Sequence, residues 1–133
     1  MSAHDRLDWD RDGADWPHRI HSRFVSAGGM RWHVQDFPSG APAGSEAPHA
    51  PILLLHGTGS ASQSWRHLAP LLASRARVIA PDLPGHGFTD PAPRGQASLQ
   101  GMSQSLAALL EALQVTPASV SYTHLTLPTK RIV

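Results

Sequence analysis

The chain has 133 residues, 41% of them hydrophobic, enough to bury one small core and too few for two domains of ordinary size. Eleven Lys and Arg stand against ten Asp and Glu, a formal charge of +1, and no basic block is long enough to track phosphates, so nucleic acid is not expected as a partner. The absence of cysteine excludes disulfides, thiolate metal sites and a cysteine nucleophile.

In chain order, Met1-Ser2-Ala3-His4-Asp5-Arg6 is charged and lacks the apolar centre of a signal peptide. No apolar run reaches the roughly 20 residues that span a bilayer, so a cytoplasmic protein without a membrane span is expected. Residues 1–22 mix Asp, Arg and His with Trp9 and Trp16 and show no helical or strand period. They read as an extended N-terminal arm that pins its tryptophans onto the domain, or as a leader without fixed structure. Arg23-Phe24-Val25-Ser26-Ala27 and Met30-Arg31-Trp32-His33-Val34-Gln35-Asp36-Phe37, joined by Gly28-Gly29, predict a β-hairpin with Met30, Trp32 and Val34 facing inward. Residues 38–51 are rich in Pro, Gly, Ala and Ser and predict a surface loop.

Pro51-Ile52-Leu53-Leu54-Leu55 is an apolar run of strand length that ends abruptly in His56-Gly57-Thr58-Gly59, the pattern of a buried central strand delivering its tip to a loop. Ser62 or Ser64 is placed to cap a following helix that carries Trp65, Leu68, Leu71 and Leu72, with Pro70 kinking it or starting its second half. A strand from Val78 to Ala80 leads into the turn-rich Asp82-Leu83-Pro84-Gly85-His86-Gly87. From Ser98, the spacing of Leu99, Met102, Leu106, Leu109, Leu110 and Leu113 predicts a long amphipathic helix ended by Pro117, and Ala118-Ser119-Val120 would open another strand. Strands alternating with helices after a hairpin predict an α/β fold with a mostly parallel sheet and the hairpin as its antiparallel edge. Neither G-x-G-x-x-G nor G-x-x-x-x-G-K-[ST] follows the central strand, which argues against a nucleotide-binding loop.

His56-Gly57-Thr58-Gly59 with Trp65, followed by Pro81-Asp82-Leu83-Pro84-Gly85-His86-Gly87-Phe88-Thr89-Asp90, resembles the α/β-hydrolase superfamily in motif, order and spacing. The resemblance implies the N-terminal part of that fold: an antiparallel hairpin followed by parallel βαβ units, stopping short of the nucleophile elbow. It places an oxyanion-hole backbone N–H on Thr58, beside Gly57. A small, tightly turned backbone suits that role, because the donor must lie about 3 Å from the developing charge. By the same resemblance His56 is a structural residue of the loop, with Gly59 its turn glycine. The resemblance likewise implies that Asp82, Gly85 and Gly87 form a sharp turn after the fourth strand, where an aspartate can bond its own backbone and glycines accept unusual dihedrals. His86 reads as a solvated turn residue or as one facing the substrate pocket. With Asp8-Trp9-Asp10-Arg11-Asp12-Gly13, Trp16-Pro17, Ser22-Arg23-Phe24-Val25 and Arg31-Trp32-His33-Val34-Gln35, residues 8–119 are similar to the magnesium chelatase accessory branch of the superfamily. That likeness implies bacteriochlorophyll biosynthesis as the setting. The expected partner is then an ester-like small molecule or, if the protein is a non-catalytic accessory protein, a tetrapyrrole or magnesium chelatase.

The elbow G-x-S-x-G does not occur in the sequence, and the family's acid and general-base histidine come later in the chain than this sequence reaches. Val120-Ser121-Tyr122-Thr123-His124-Leu125-Thr126-Leu127-Pro128-Thr129 resembles the translation of a transposon-type sequencing-library adapter. The expected organisation is an N-terminal arm (1–22), a partial hydrolase domain (23–119) and a non-native tail (120–133), against the alternative that 121–127 is a genuine edge strand. The chain is expected to be inactive by itself. Ser60, Ser62 and Ser64 read as turn and cap residues, since none stands in an elbow beside a base. The nine histidines lack H-x-x-x-H spacing, so neither a metal site nor a cofactor is expected.

Overall fold

The computed structural model describes residues 7–42, 51–57, 59–93, 98–115 and 119–122, with the side chains of Leu99 and of 119–122 left aside. Within them β1 (Ser22–Ala27), β2 (Met30–Phe37), β3 (Ile52–Leu55), β4 (Val78–Pro81) and β5 (Ser119–Tyr122) form one sheet in the order β1-β2-β4-β3-β5. β2 is antiparallel to both β1 and β4, and β3 is parallel to both β4 and β5. The sheet is therefore mixed, with the hairpin at its antiparallel edge. β5 crosses the boundary drawn at residue 119.

The hairpin closes at the pair Ala27 and Met30, with Gly28 and Gly29 at φ 59° and 79°. A two-residue turn matched to strand twist needs positive φ at both positions, which only glycine adopts freely. Met30, Trp32 and Val34 do face the core, but His33, Gln35 and Phe37 on the opposite face are buried as well. β2 is thus an interior strand covered on both sides.

The alternation of side chains divides the core into two layers. Leu53, Leu55, Ile79, Trp32 and Val34 pack under Leu106, Leu109 and Leu113 of the long helix described next; Leu54, Val78, Ala80 and Phe37 pack on the other face with Trp65 and Ala69. That long helix runs from Leu99 to Leu113, and Ser98 accepts a hydrogen bond from the Gly101 N–H to cap its start. It does not run on to Pro117, which lies outside the described residues. Gln114 turns left-handed at φ 57°, its N–H bonds the Glu111 carbonyl, and the Val115 N–H bonds the Leu110 carbonyl. These two bonds close the helix by local means before any proline is needed.

The helix expected between β3 and β4 is divided. Ser62–Trp65 is one turn of 3-10 helix and Leu68–Ala73 a short α-helix, and neither is capped by a serine side chain. The break resets the helical phase, so Trp65 and Ala69 are buried whereas Leu71 is 70% exposed and Leu68 40%. Pro70 sits in the first turn of the second piece, where its missing N–H leaves no bond unmade.

The N-terminal segment is not extended. Trp9–Asp12 forms one α-helical turn capped by Asp8, and Arg19–His21 a 3-10 turn. A Cβ at Gly13 would collide with the Trp9 ring, and Arg19 lies 4.5 Å over that ring while donating to the Gly13 carbonyl. Both tryptophans do pack onto the domain: the Trp9 ring lies 4.9 Å from His33 and from Phe88, and Trp16 lies 5.0 Å from Phe88. Gln35 bonds the Pro17 carbonyl at 2.6 Å and so ties the segment to β2.

Candidate active site

Two loops leave the C-terminal ends of the adjacent parallel strands β3 and β4, the place where α/β sheets present chemistry. The first carries His56, Gly57 and Gly59; Thr58, the residue to which the oxyanion N–H was assigned, lies outside the described residues. His56 is fully buried. Its Nε2 accepts the Leu83 N–H at 2.9 Å, which requires that nitrogen to be unprotonated, so Nδ1 carries the proton and donates to the Gly57 carbonyl at 2.7 Å. Burial pushes its pKa below 6.5, and the Gly57 carbonyl and Asp82 charge only partly offset this. Both nitrogens are thus committed to backbone groups, one in each loop, and neither is free to relay a proton.

The Gly57 carbonyl also accepts the Ser60 N–H at 3.1 Å, which folds the loop back on itself. Gly59 adopts φ 80° with open space around a Cβ, so its glycine answers a dihedral and not a close approach. Gly85 at φ 76° is a similar case, its N–H bonding the Asp90 carbonyl. Gly87 answers both demands: φ is 51° and a Cβ would collide with the Asp82 carboxylate.

Asp82 is the centre of the arrangement. Fully buried, its carboxylate accepts the Ser62 N–H on Oδ1 at 2.7 Å, and on Oδ2 the Phe88 N–H at 2.9 Å and His33 Nδ1 at 2.7 Å. Burial works to raise its pKa, but the hydrogen bonds and charge of His33, with the Phe88 and Ser62 N–H groups, outweigh that and hold it below 3.8. The turn residue thus bonds its own loop, as its sequence position suggested, and also reaches across to the β3 loop. Ser62, read from sequence as a turn or cap residue, serves through its backbone.

His86 is half-buried, donates from Nδ1 to the Pro84 carbonyl at 3.0 Å and lies 5.1 Å from the His56 ring. His33 and Ser22 were not legible as site residues. His33 Nε2 lies 2.8 Å from Ser22 Oγ, so Ser22, His33 and Asp82 are bonded in the order of a serine-protease triad. Yet the His33 ring is wholly buried under Trp9, Phe24 and Phe88, which keeps substrate from it. The only signal in the sequence was a histidine flanked by Trp32 and Val34, and its carboxylate partner is 49 residues away.

A family profile described as the alpha/beta hydrolase fold matches residues 50–120. The magnesium-chelatase 30 kDa subunit of Rhodobacter capsulatus is 39% identical over 108 residues, 80% of this chain and 35% of that protein. An uncharacterized hydrolase of Saccharomyces cerevisiae is 36% identical over 97 residues, 73% of this chain and 31% of its own length. Among solved structures, Cfl2 from Burkholderia cenocepacia superposes with a TM-score of 0.63 at 33% identity, covering 76% of this chain and 32% of that one. The chain thus spans about a third of the length of these relatives. Its mixed sheet, the two loops at the ends of β3 and β4 and the profile over 50–120 agree: the chain belongs to the α/β-hydrolase fold family.

Proposed function

We propose that this chain supplies the oxyanion half of a hydrolase site, and that the intact protein is a cytoplasmic serine-type hydrolase of ester-like small molecules that works alongside magnesium chelatase in bacteriochlorophyll synthesis. The observation that supports it is the pairing of β5 with β3. The strands are parallel and Ser119, the last residue before the proposed tail, lies opposite Ile52, so a native strand continuing in that register would end next to the residues that follow Leu55, His56 and Gly57. In this fold a nucleophilic serine on a sharp strand-to-helix turn belongs beside the oxyanion donors. Serine attack on an ester carbonyl places negative charge on the oxygen, and a Thr58 N–H next to Gly57 would meet it. His56, Gly59, Asp82, Gly85 and Gly87 hold that loop, and no nucleophile, acid or base is assigned within the 133 residues.

Residues 120–133 are proposed as a non-native tail, and the chain by itself as inactive. Genomic DNA read past the codon for Ala118 tests this. A frame with G-x-S-x-G there and a later Asp and His is expected, and its product should hydrolyse p-nitrophenyl acetate until that serine is changed to alanine. Residues 1–133 should show no turnover above a Thr58→Pro control, which lacks the N–H. A genomic frame that keeps the present terminus would overturn the tail assignment.

The identity to a chelatase-named protein favours a second reading, a non-catalytic accessory protein that uses the pocket for a tetrapyrrole or contacts the chelatase. It predicts a genomic frame without the elbow serine, and a shifted absorption band when a magnesium porphyrin is titrated with the full-length protein.

A further inference from the structure

We infer that His33 is a positioning residue for the loop after β3, and that the N-terminal segment holds His33 in place to that end. The path is continuous. Asp82 Oδ1 fixes the Ser62 N–H, four residues beyond Thr58 in the loop, and Oδ2 fixes the Phe88 N–H in the neighbouring turn. A carboxylate left with only these two backbone donors could swivel about its Cβ–Cγ bond. The third donor, His33 Nδ1–H at 2.7 Å, sets its plane.

The ring is held from every side. Its Nε2 meets Ser22 Oγ at 2.8 Å, its own backbone N–H bonds Thr89 Oγ1 at 3.0 Å, and Trp9 covers its face at 4.9 Å. An ionised carboxylate only accepts hydrogen bonds, so Nδ1 must carry a proton whatever the charge on the ring. Ser22 opens β1 directly after the segment that bears Trp9 and Trp16, so ordering of that segment is coupled through one imidazole to the oxyanion loop. This differs from a core histidine that merely fills space. What it transmits is the direction of one N–H, and only a side chain that repeats this donor can replace it.

The inference rests on the oxyanion role proposed for the loop, but its test reads loop protection and not turnover, so either can fail without the other. Amide hydrogen exchange is measured by NMR on the 133-residue chain and its variants. His33→Phe and His33→Gln remove the Nδ1 donor and should speed exchange at Ser62 and Phe88 by roughly tenfold to a hundredfold, as loss of a hydrogen bond to a charged group implies. Leu109, inside the long helix, should be unchanged. His33→Asn places an amide N–H where Nδ1–H was, and should keep Ser62 within about threefold of wild type. Exchange that rises equally at Ser62 and Leu109, or that is not rescued by asparagine, would overturn the inference. Should the variants fail to fold, the wild-type ring decides: long-range proton–nitrogen couplings must show Nδ1 of His33 protonated, and an unprotonated Nδ1 refutes it.

Discussion

Because both ring nitrogens of His56 are bonded inside the protein, its charge state enters the folding equilibrium. The folded pKa lies below the unfolded value of 6.5, so the unfolded chain binds the proton more tightly. Its contribution is complete above pH 6.5 and declines as the pH falls below it, by at most about 1.4 kcal/mol per pH unit. The urea midpoint should therefore drop between pH 7.5 and 5.5, and by less in His56→Gln; equal drops would refute the assignment. The carboxylates Asp82 and Asp36, both held below 3.8, lose their contributions only at lower pH, so the windows separate. At Gly87, alanine must adopt φ 51° and displace the Asp82 carboxylate. Gly87→Ala should cost roughly 1–3 kcal/mol from the backbone alone, with more from the collision, read as a lower Tm. At this scale the sequence was informative wherever a local rule applied: a glycine in a turn, an aspartate able to bond its own loop. It said little where partners are distant, as between His33 and Asp82, because nothing in a strand pattern distinguishes a buried polar face from a wet one.

Elements were legible in proportion to how local their causes are. Gly28-Gly29 set the hairpin, and β3 and β4 follow from apolar runs. The segment between them was misjudged because its Ser62 N–H is drawn to Asp82, 20 residues away, which breaks the helix that the leucine spacing alone would favour. The end of the long helix was misjudged for the opposite reason: a proline was given work that two backbone bonds already do. Those bonds hold Gln114 left-handed, a conformation that penalises a side chain. Gln114→Gly should therefore stabilise the protein by about 0.5–1 kcal/mol, raising Tm in calorimetry; a fall would show that Gln114 makes a contact worth more than its strain. Another device at this scale joins two strands. Asp36 of β2 receives Arg77 through two hydrogen bonds of 2.9 and 2.6 Å at the entry to β4, with Arg23 of β1 at 3.2 Å on the same carboxylate. Such a fork fixes antiparallel register where the pairing of β2 and β4 has no hairpin turn to set it.

For the whole molecule, the fold class followed from the alternation of elements, whereas strand order did not, because periodicity carries no information on which strands become neighbours. The described helices include none long and apolar enough to cross a membrane. The order β1-β2-β4-β3-β5 has a consequence for the time course of assembly. β3 leaves the ribosome before β4, yet within the sheet it is joined to the hairpin through β4, which pairs with β2 on one edge and β3 on the other. Until residues 78–81 arrive, the hairpin and β3 are two pieces without a shared edge. Insertion of β4 then closes two loops at once, one to β2 and one to β3, and it should lie at the folding barrier. Ile79→Val, a loss of about 1 kcal/mol at a buried site, should slow refolding in stopped-flow chevrons more than it speeds unfolding. A change confined to the unfolding limb would mean that the keystone strand is set last, after the barrier has been crossed.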